Sequence, residues 1–245
     1  MKNQVKVHEV SPLKAKGRRD FLRISGLAVA GTGLLLVGCS DDDDNNNPVD
    51  NQMPGVRDGK FDLGGGDFGV LTYAYALEQL EADFYTRVVT NAAFSSFSEE
   101  AKDILSDIHK HEVIHREFFK ATLTDALPAA NVLPTLSFAY DGVNFGNQMS
   151  VLQTAALLED TGVSAYNGAG QYIDNAAYLV IAGQIVSVEA RHASAVRDLL
   201  NPGSTDFAST ADANGLDPAQ KPSAILTAVG GLGLITTPFT SIFLP

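Results

Sequence analysis

Two short motifs occur twice in the chain, in the same order, and this repeat constrains the fold more than any other feature. One motif is a glutamate followed seven positions later by a tyrosine; the other is a glutamate followed three positions later by a histidine. The eight motif residues are, in chain order, Glu78, Tyr85, Glu112, His115, Glu159, Tyr166, Glu189 and His192. Residues three, four and seven positions apart lie on one face of an α-helix, so both spacings predict helices.

Four segments have the apolar periodicity of an α-helix, and each carries one motif. They cover about 67–91, 98–124, 148–170 and 174–200. Serines ahead of Glu99 and Glu100 are a helix-start signal, and Asn201-Pro202-Gly203 ends the last segment. One further short helix is expected near 223–229, and no strand pattern is evident in the domain.

The connections between these segments predict the arrangement of the helices. Short turns join the first segment to the second and the third to the fourth, so each pair is expected to form an antiparallel hairpin. An irregular stretch, roughly 127–147, joins the two hairpins and contains Pro128 and Pro134. A helix of about 25 residues is about 37 Å long, which about 11 extended residues can span. The predicted fold class is all-α, an antiparallel four-helix bundle with one long crossover between the second and third helices.

The four motif glutamates are expected at one level near the middle of the bundle. Each lies about 11–15 residues from the short turn of its hairpin. Four buried carboxylates cannot all stay ionised without cations, and two divalent ions would offset them. Two neutral imidazoles would complete the ligands. The sequence therefore predicts a two-metal site formed by Glu78, Glu112, His115, Glu159, Glu189 and His192.

Three stretches carry a family resemblance: LEQLEADFY (77–85), LEDTGVSAY (158–166) and IVSVEARH (185–192). They resemble the ferritin-like di-metal carboxylate superfamily, which includes bacterioferritin. They are most similar to the exported ferritin-like family related to plant desiccation-response proteins. The resemblance covers roughly 65–200 and implies a ferritin-like bundle that holds two iron ions, or alternatively manganese. The export signal, tether and tail depart from the family pattern and argue against a closed storage shell.

The resemblance also implies a role for each motif residue. The tyrosines are the candidate catalytic side chains and would bond to ligand carboxylates. The implied roles are terminal ligands at Glu78 and Glu159, bridging ligands at Glu112 and Glu189, capping imidazoles at His115 and His192, and carboxylate-bonding hydroxyls at Tyr85 and Tyr166.

The sequence His111-Glu112-x-x-His115 also matches the zinc metalloprotease signature. In that interpretation both histidines bind zinc and Glu112 is the general base. It leaves the other four ligand candidates unexplained. His111 lies about 100° around the helix from Glu112, so we expect it off the metal face.

Several charged residues near the motifs are expected to be solvated. They are Glu81, Asp83, Glu117, Asp160 and Arg191. Glu81 is the main alternative ligand in the first segment, and Arg191 could instead neutralise a carboxylate. Phe84, Phe118 and Phe119 are expected to pack in the core.

The N-terminus predicts an export signal. Residues 1–39 hold seven of the 17 basic residues, and the apolar run 24–37 is shorter than the ~20 residues that span a bilayer. Arg18-Arg19-Asp20-Phe21-Leu22-Arg23 resembles a twin-arginine signal, and Leu36-Val37-Gly38-Cys39 resembles a bacterial lipobox. Residues 1–38 are the expected signal peptide, and Cys39 would be lipidated and anchor an exported cell-envelope lipoprotein to a membrane, on the periplasmic or outer-surface side. The alternative is a membrane-anchored helix with an unrelated cysteine.

Composition predicts the boundaries of the tether, the bundle and the tail. Residues 39–60, which include Asp41–Asp44, are predicted to be an acidic flexible tether. The bundle is expected over 61–200, followed by a tail over 201–245. A net charge of −12 argues against a nucleic-acid partner, because phosphate binding needs clustered Lys and Arg.

Two classes of function are compatible with these features. One is a di-iron or di-manganese oxidoreductase that oxidises iron or reacts with dioxygen or peroxide outside the cytoplasm. The other is a metal-binding envelope or stress-protection lipoprotein without turnover, in which the ions stabilise the bundle. Glu and His ligands accept iron, manganese and zinc alike, so the metal is not fixed by the sequence. The oligomeric state is equally open, and a homodimer is one option.

Overall fold

The computed structural model describes residues 52–245, so the export signal and Cys39 lie outside the described part of the chain. Four long helices dominate it, and a shorter fifth follows in the tail. Their bounds are α1 (Gly66–Thr90), α2 (Glu99–Ala126), α3 (Gln148–Ala169), α4 (Ala176–Leu200) and α5 (Pro222–Gly231). The predicted segments agree within about two residues at each end. The all-α fold class is confirmed.

Side-chain caps define where three of the long helices begin. The Ser98 hydroxyl accepts a hydrogen bond from the backbone N–H of Ala101 at the start of α2. Asn147 and Asn175 cap α3 and α4 in the same way. These caps satisfy N–H groups that have no partner within the first helical turn. The serine signal ahead of α2 is therefore confirmed.

The helices pack as two hairpins. α1 packs mainly on α2, and α3 on α4, while α1–α3 and α2–α4 contacts join the hairpins. The 127–147 crossover runs along α1, where Gln79 Oε1 accepts from the Leu136 N–H and the Tyr140 hydroxyl donates to the Leu80 carbonyl. α1 is consequently buried on nearly all sides. Among residues 52–245, no helix combines the length and apolarity needed to cross a bilayer.

Three short strands flank the bundle, although no strand was expected. β1 (Gly55–Arg57) and β2 (Lys60–Asp62) form an antiparallel hairpin, and β3 (Phe239–Thr240) lies parallel to β2. Strands of two or three residues are too short to show the alternating pattern. The Asp58-Gly59 turn, with both residues at positive φ, is the signal that could have revealed the hairpin. The expected boundary at residue 61 thus falls inside a strand pair.

Asp62 ties this hairpin to the C-terminal tail. Its buried carboxylate accepts hydrogen bonds from the Gly64 and Ile242 N–H groups and the Thr240 hydroxyl, and lies 3.4 Å from Arg57 Nη1. Burial alone would raise the pKa of Asp62, but these hydrogen bonds and the guanidinium lower it. The tail is thereby held against the start of the bundle.

Candidate metal centre

The six predicted ligands converge inside the bundle. α1 and α3 each contribute one glutamate, and α2 and α4 each contribute a glutamate and a histidine one turn apart. The four glutamates are fully buried, and the two histidines are less than a tenth exposed. The equal depth expected from the hairpin turns therefore corresponds to the observed placement.

The six residues form two groups that share two members. Within each group the ligand atoms lie within 4.8 Å of one another. One ion could be held by Glu78, Glu112, His115 and Glu189, and we name this group the first metal position. Another ion could be held by Glu112, Glu159, Glu189 and His192, and we name this group the second metal position. Glu112 and Glu189 belong to both groups, as carboxylates that bridge two ions would.

Each histidine points its Nδ1 at the carboxylates. His115 Nδ1 lies 2.8 Å from Glu189 Oε1 and 3.5 Å from Glu78 Oε2. His192 Nδ1 lies 2.8 Å from Glu112 Oε1 and 3.4 Å from Glu159 Oε2. Each imidazole is therefore closest to the shared glutamate on the opposite helix, which gives the centre an approximate two-fold arrangement.

Apart from their contacts with one another, the donor atoms that face the centre have no hydrogen-bond partner in the described part of the chain. They are Oε2 of Glu78 and Glu159, both carboxylate oxygens of Glu112 and Glu189, and Nδ1 of His115 and His192. Buried polar atoms without partners are costly and uncommon. Carboxylate oxygen and imidazole nitrogen are ligands for divalent iron, manganese and zinc. This donor set fits metal ions.

The tyrosines reach across the bundle. The Tyr85 hydroxyl donates to Glu159 Oε1 at 2.5 Å, and the Tyr166 hydroxyl donates to Glu78 Oε1. Each tyrosine lies two turns from one glutamate but bonds to the corresponding glutamate of the other hairpin. The bond occupies Oε1 and leaves Oε2 facing the metal position. Each tyrosine thus bonds to a ligand carboxylate, as the family resemblance implies. The sequence did not predict that the bonded glutamate belongs to the other hairpin.

The pKa values of the candidate ligands depend on their burial and on one another. Burial raises the pKa of Glu78 and Glu159. Burial opposes the charged form of His192, but its carboxylate neighbours outweigh that effect and raise its pKa, as they do for His115. Because a metal binds the neutral form of an imidazole, metal binding would release any proton that Nδ1 of His115 or His192 carries.

His111 contributes no atom to either ligand group, as expected, but its ring contacts that of His192. It belongs to neither metal group, so the described residues do not form the paired-histidine site of a zinc protease. Its Nδ1 lies 2.8 Å from His192 Nε2, and the two rings are nearly parallel and meet edge to edge, with centroids 5.1 Å apart. The phase of α2 predicts that His111 leaves the metal face, but no sequence signal gives its partner on α4.

Glu81 is buried, and the expectation that it is solvated was wrong. Its side chain is on the inner face of α1, one turn after Glu78, and its Oε2 has no hydrogen-bond partner among residues 52–245. Its Oε1 lies 3.0 Å from where a Cβ of Gly162 would be. Burial and the nearby carboxylates raise the pKa of Glu81. The spacing of three from Glu78 is the signal that predicts this placement.

The other neighbouring side chains divide between core and surface. Glu117 and Arg191 are exposed, as expected. Asp160 differs, because it is half-buried and paired with Arg197. Asp83 is partly exposed and paired with the Arg87 guanidinium at 2.7 Å. Phe84 and Phe119 are buried in the core, and Phe118 is half-buried.

Comparison with known protein families gives a match over most of the described chain. The sequence model of a family described as "Ferritin-like domain" matches residues 66–202, which is more than half of the chain. The matched range begins with α1 and ends just after α4, so it contains all six residues of the candidate metal centre. A search of curated proteins found no match.

Proposed function

The chain belongs to the ferritin-like domain family, and on this premise we propose that it is an exported di-metal protein that oxidises iron or reacts with dioxygen or peroxide. The observation that carries the proposal is the sharing of Glu112 and Glu189 by two groups of buried ligands, each with its own histidine. A single ion would need only one such group. Two carboxylates common to both groups favour a pair of neighbouring ions.

The residues that would hold the ions follow from the two groups. Glu78 with His115 would complete the first metal position, and Glu159 with His192 the second. Two iron ions, or alternatively two manganese ions, fit the oxygen and nitrogen ligands. When bound, such ions would supply the one-electron steps that reactions with dioxygen and peroxide require.

The chain itself contributes orientation and exclusion of water. The two tyrosine hydroxyls hold the Oε1 atoms of Glu78 and Glu159, which keeps each Oε2 directed at a metal position. The complete burial of the four carboxylates keeps bulk water from the ligand atoms. A site that is ordered before the metal arrives loses little conformational entropy on binding.

A second candidate function has its own support. The ligands come from all four helices and from both hairpins, so bound ions would also cross-link the bundle. A metal-binding envelope or stress-protection protein without turnover needs only this stabilisation. Reactivity with an oxidant separates this function from the first.

Export is proposed from the sequence of residues 1–39. The twin-arginine stretch, the short apolar run and the lipobox occur in the order that a lipoprotein signal requires. Because the twin-arginine route carries folded proteins, the metals could be bound before export. The mature protein would then be attached to a membrane through Cys39.

The test is a reactivity assay on metal-loaded protein. The purified protein is loaded with ferrous iron or with Mn²⁺ without oxygen, and oxygen or peroxide consumption is then followed. We expect turnover with at least one oxidant, and its loss in the double variant Glu112→Ala with Glu189→Ala. The matched control, Glu100→Ala with Glu117→Ala, changes two exposed glutamates of α2 and should react like the parent. Two bound ions without reaction with either oxidant would leave the structural function.

A further inference from the structure

His192 has a partner at both of its ring nitrogens. Nδ1 faces Glu112 and Glu159 in the second metal position, and Nε2 lies 2.8 Å from Nδ1 of His111. The His111 and His192 rings are nearly parallel, with an interplanar angle of 12°. His192 is therefore fixed in both position and ring orientation by a residue that contributes no ligand atom.

This contact selects a tautomer of His192. A neutral imidazole that offers the lone pair of Nδ1 to a cation must carry its hydrogen on Nε2. That N–H can then donate to Nδ1 of His111, which accepts. A partner of this kind orients the ring and increases its basicity toward a metal.

The internal repeat places no second histidine like His111 beside the first metal position. His111 directly precedes Glu112, and the residue that directly precedes Glu189 is Val188. Valine has no acceptor, so its side chain cannot fix the tautomer of His115 in the same way. The ligands therefore have an approximate two-fold arrangement, but the residues that directly precede Glu112 and Glu189 differ.

We propose that His111 is a positioning residue that supports metal affinity at the second metal position and not at the first. The inference rests on the proposed two-metal function. The second position, which contains His192, would bind its ion more tightly than it would without His111. The first position would be independent of His111.

The experiment uses two variants that each retain one metal position, and replaces His111 in both of them. Glu78→Ala leaves only the second position complete, and Glu159→Ala leaves only the first. Oxygen-free titration with Co²⁺, followed by its visible absorption, gives the affinity and the ligand environment of each remaining ion. His111→Val copies the residue found in the other half of the repeat.

We expect His111→Val to weaken the second position by about 10- to 100-fold and to leave the first unchanged. His111→Asn places an acceptor where Nδ1 stood and should restore most of the affinity. The control is His109→Val, which removes a half-buried imidazole of α2 whose Nε2 lies 3.2 Å from Thr86 Oγ1 and which belongs to neither ligand group. It should leave both positions unchanged.

Three results would overturn the inference. Unchanged affinity at the second position in His111→Val would remove any role for His111 there. Equal weakening in both single-position variants, or a failure of His111→Asn to do better than His111→Val, would show a general structural effect instead. If the unaltered protein binds no Co²⁺, the proposed two-metal function fails, and the inference with it.

Discussion

Tyr85 donates a hydrogen bond to Glu159 Oε1 at 2.5 Å although the two residues belong to different hairpins. The bond joins α1 to α3 and fixes one carboxylate oxygen, while the other faces the second metal position. Tyr166 and Glu78 make the reciprocal bond. The metal centre is thus tied together by side chains that cross between the two repeats.

Replacing Tyr85 by phenylalanine should weaken the second metal position. The change removes a bond to a charged acceptor, worth about 1.5–3 kcal/mol, and frees the Glu159 carboxylate to turn. We expect a loss of about 10- to 100-fold in affinity for one of the two ions in an oxygen-free Mn²⁺ titration.

Tyr73→Phe is the matched control for that prediction. Tyr73 lies on the same helix, and its buried hydroxyl has no hydrogen-bond partner in the described part of the chain. Its removal should leave metal affinity unchanged. Equal effects of the two substitutions would show that the Tyr85–Glu159 bond does not orient a ligand.

Gly162 provides room for the carboxylate of Glu81. In an exposed helical position Gly→Ala stabilises a protein by about 1 kcal/mol. A Cβ at Gly162 would lie 3.0 Å from Glu81 Oε1. Gly162→Ala should therefore not stabilise the protein when Glu81 is present, and should stabilise it in the Glu81→Ala variant. Urea unfolding of the four proteins of this double-mutant cycle should give a coupling of about 0.5–3 kcal/mol.

The control for this cycle is Gly183→Ala on α4, where a Cβ would meet no atom within 4 Å. Its effect should be the same with and without Glu81. Additive effects of Gly162→Ala and Glu81→Ala would mean that the two positions are not in contact.

Asp62 should make the fold less stable in acid. Its folded-state pKa is lowered, so its contribution is complete above the unfolded-state pKa of about 3.9 and is lost as pH falls through the lower folded-state pKa. Asp62→Asn should cost about 1.5–3 kcal/mol at pH 7, and the difference from the parent should shrink toward pH 2. Urea unfolding at both pH values measures this.

Asp58→Asn makes the same charge change at an exposed position of the same hairpin and should have little effect at either pH. A cost for Asp62→Asn that does not vary with pH would contradict the role given to its ionised form.

The export signal can be tested by fractionation of cells that express the full chain. Lysine at both Arg18 and Arg19 should retain the protein in the cytoplasm, whereas Arg23→Lys, which keeps the arginine pair, should not. Cys39→Ser should prevent lipidation and abolish the attachment to a membrane. An unchanged location of the Arg18→Lys, Arg19→Lys double variant, or of Cys39→Ser, would contradict the predicted signal.

The helices and the ligand set were predictable because their signals are local. The spacings of three and seven residues place each motif on one face of its own helix, and the turn lengths set the common depth of the four glutamates. Glu81 could also have been placed correctly, since it lies three residues after Glu78. The family match over 66–202 agrees with the predicted ferritin-like helical bundle.

The side-chain contacts between helices could not be predicted from the sequence, for a physical reason. The bonds from Tyr85 to Glu159 and from His111 to His192 join residues 74 and 81 positions apart. They depend on how the two hairpins rotate against each other, and helical periodicity holds no information on that rotation. The β3 strand was equally unpredictable, because its two residues are recognisable as a strand only through their pairing with β2.

The metal content of three proteins, loaded with Mn²⁺ without oxygen and measured by elemental analysis, tests the central claim most directly. The account predicts two ions per chain in the parent, one in Glu78→Ala, and none in the double variant Glu112→Ala with Glu189→Ala, because the last two residues serve both positions. Two ions retained by the double variant, or none bound by the parent, would contradict it.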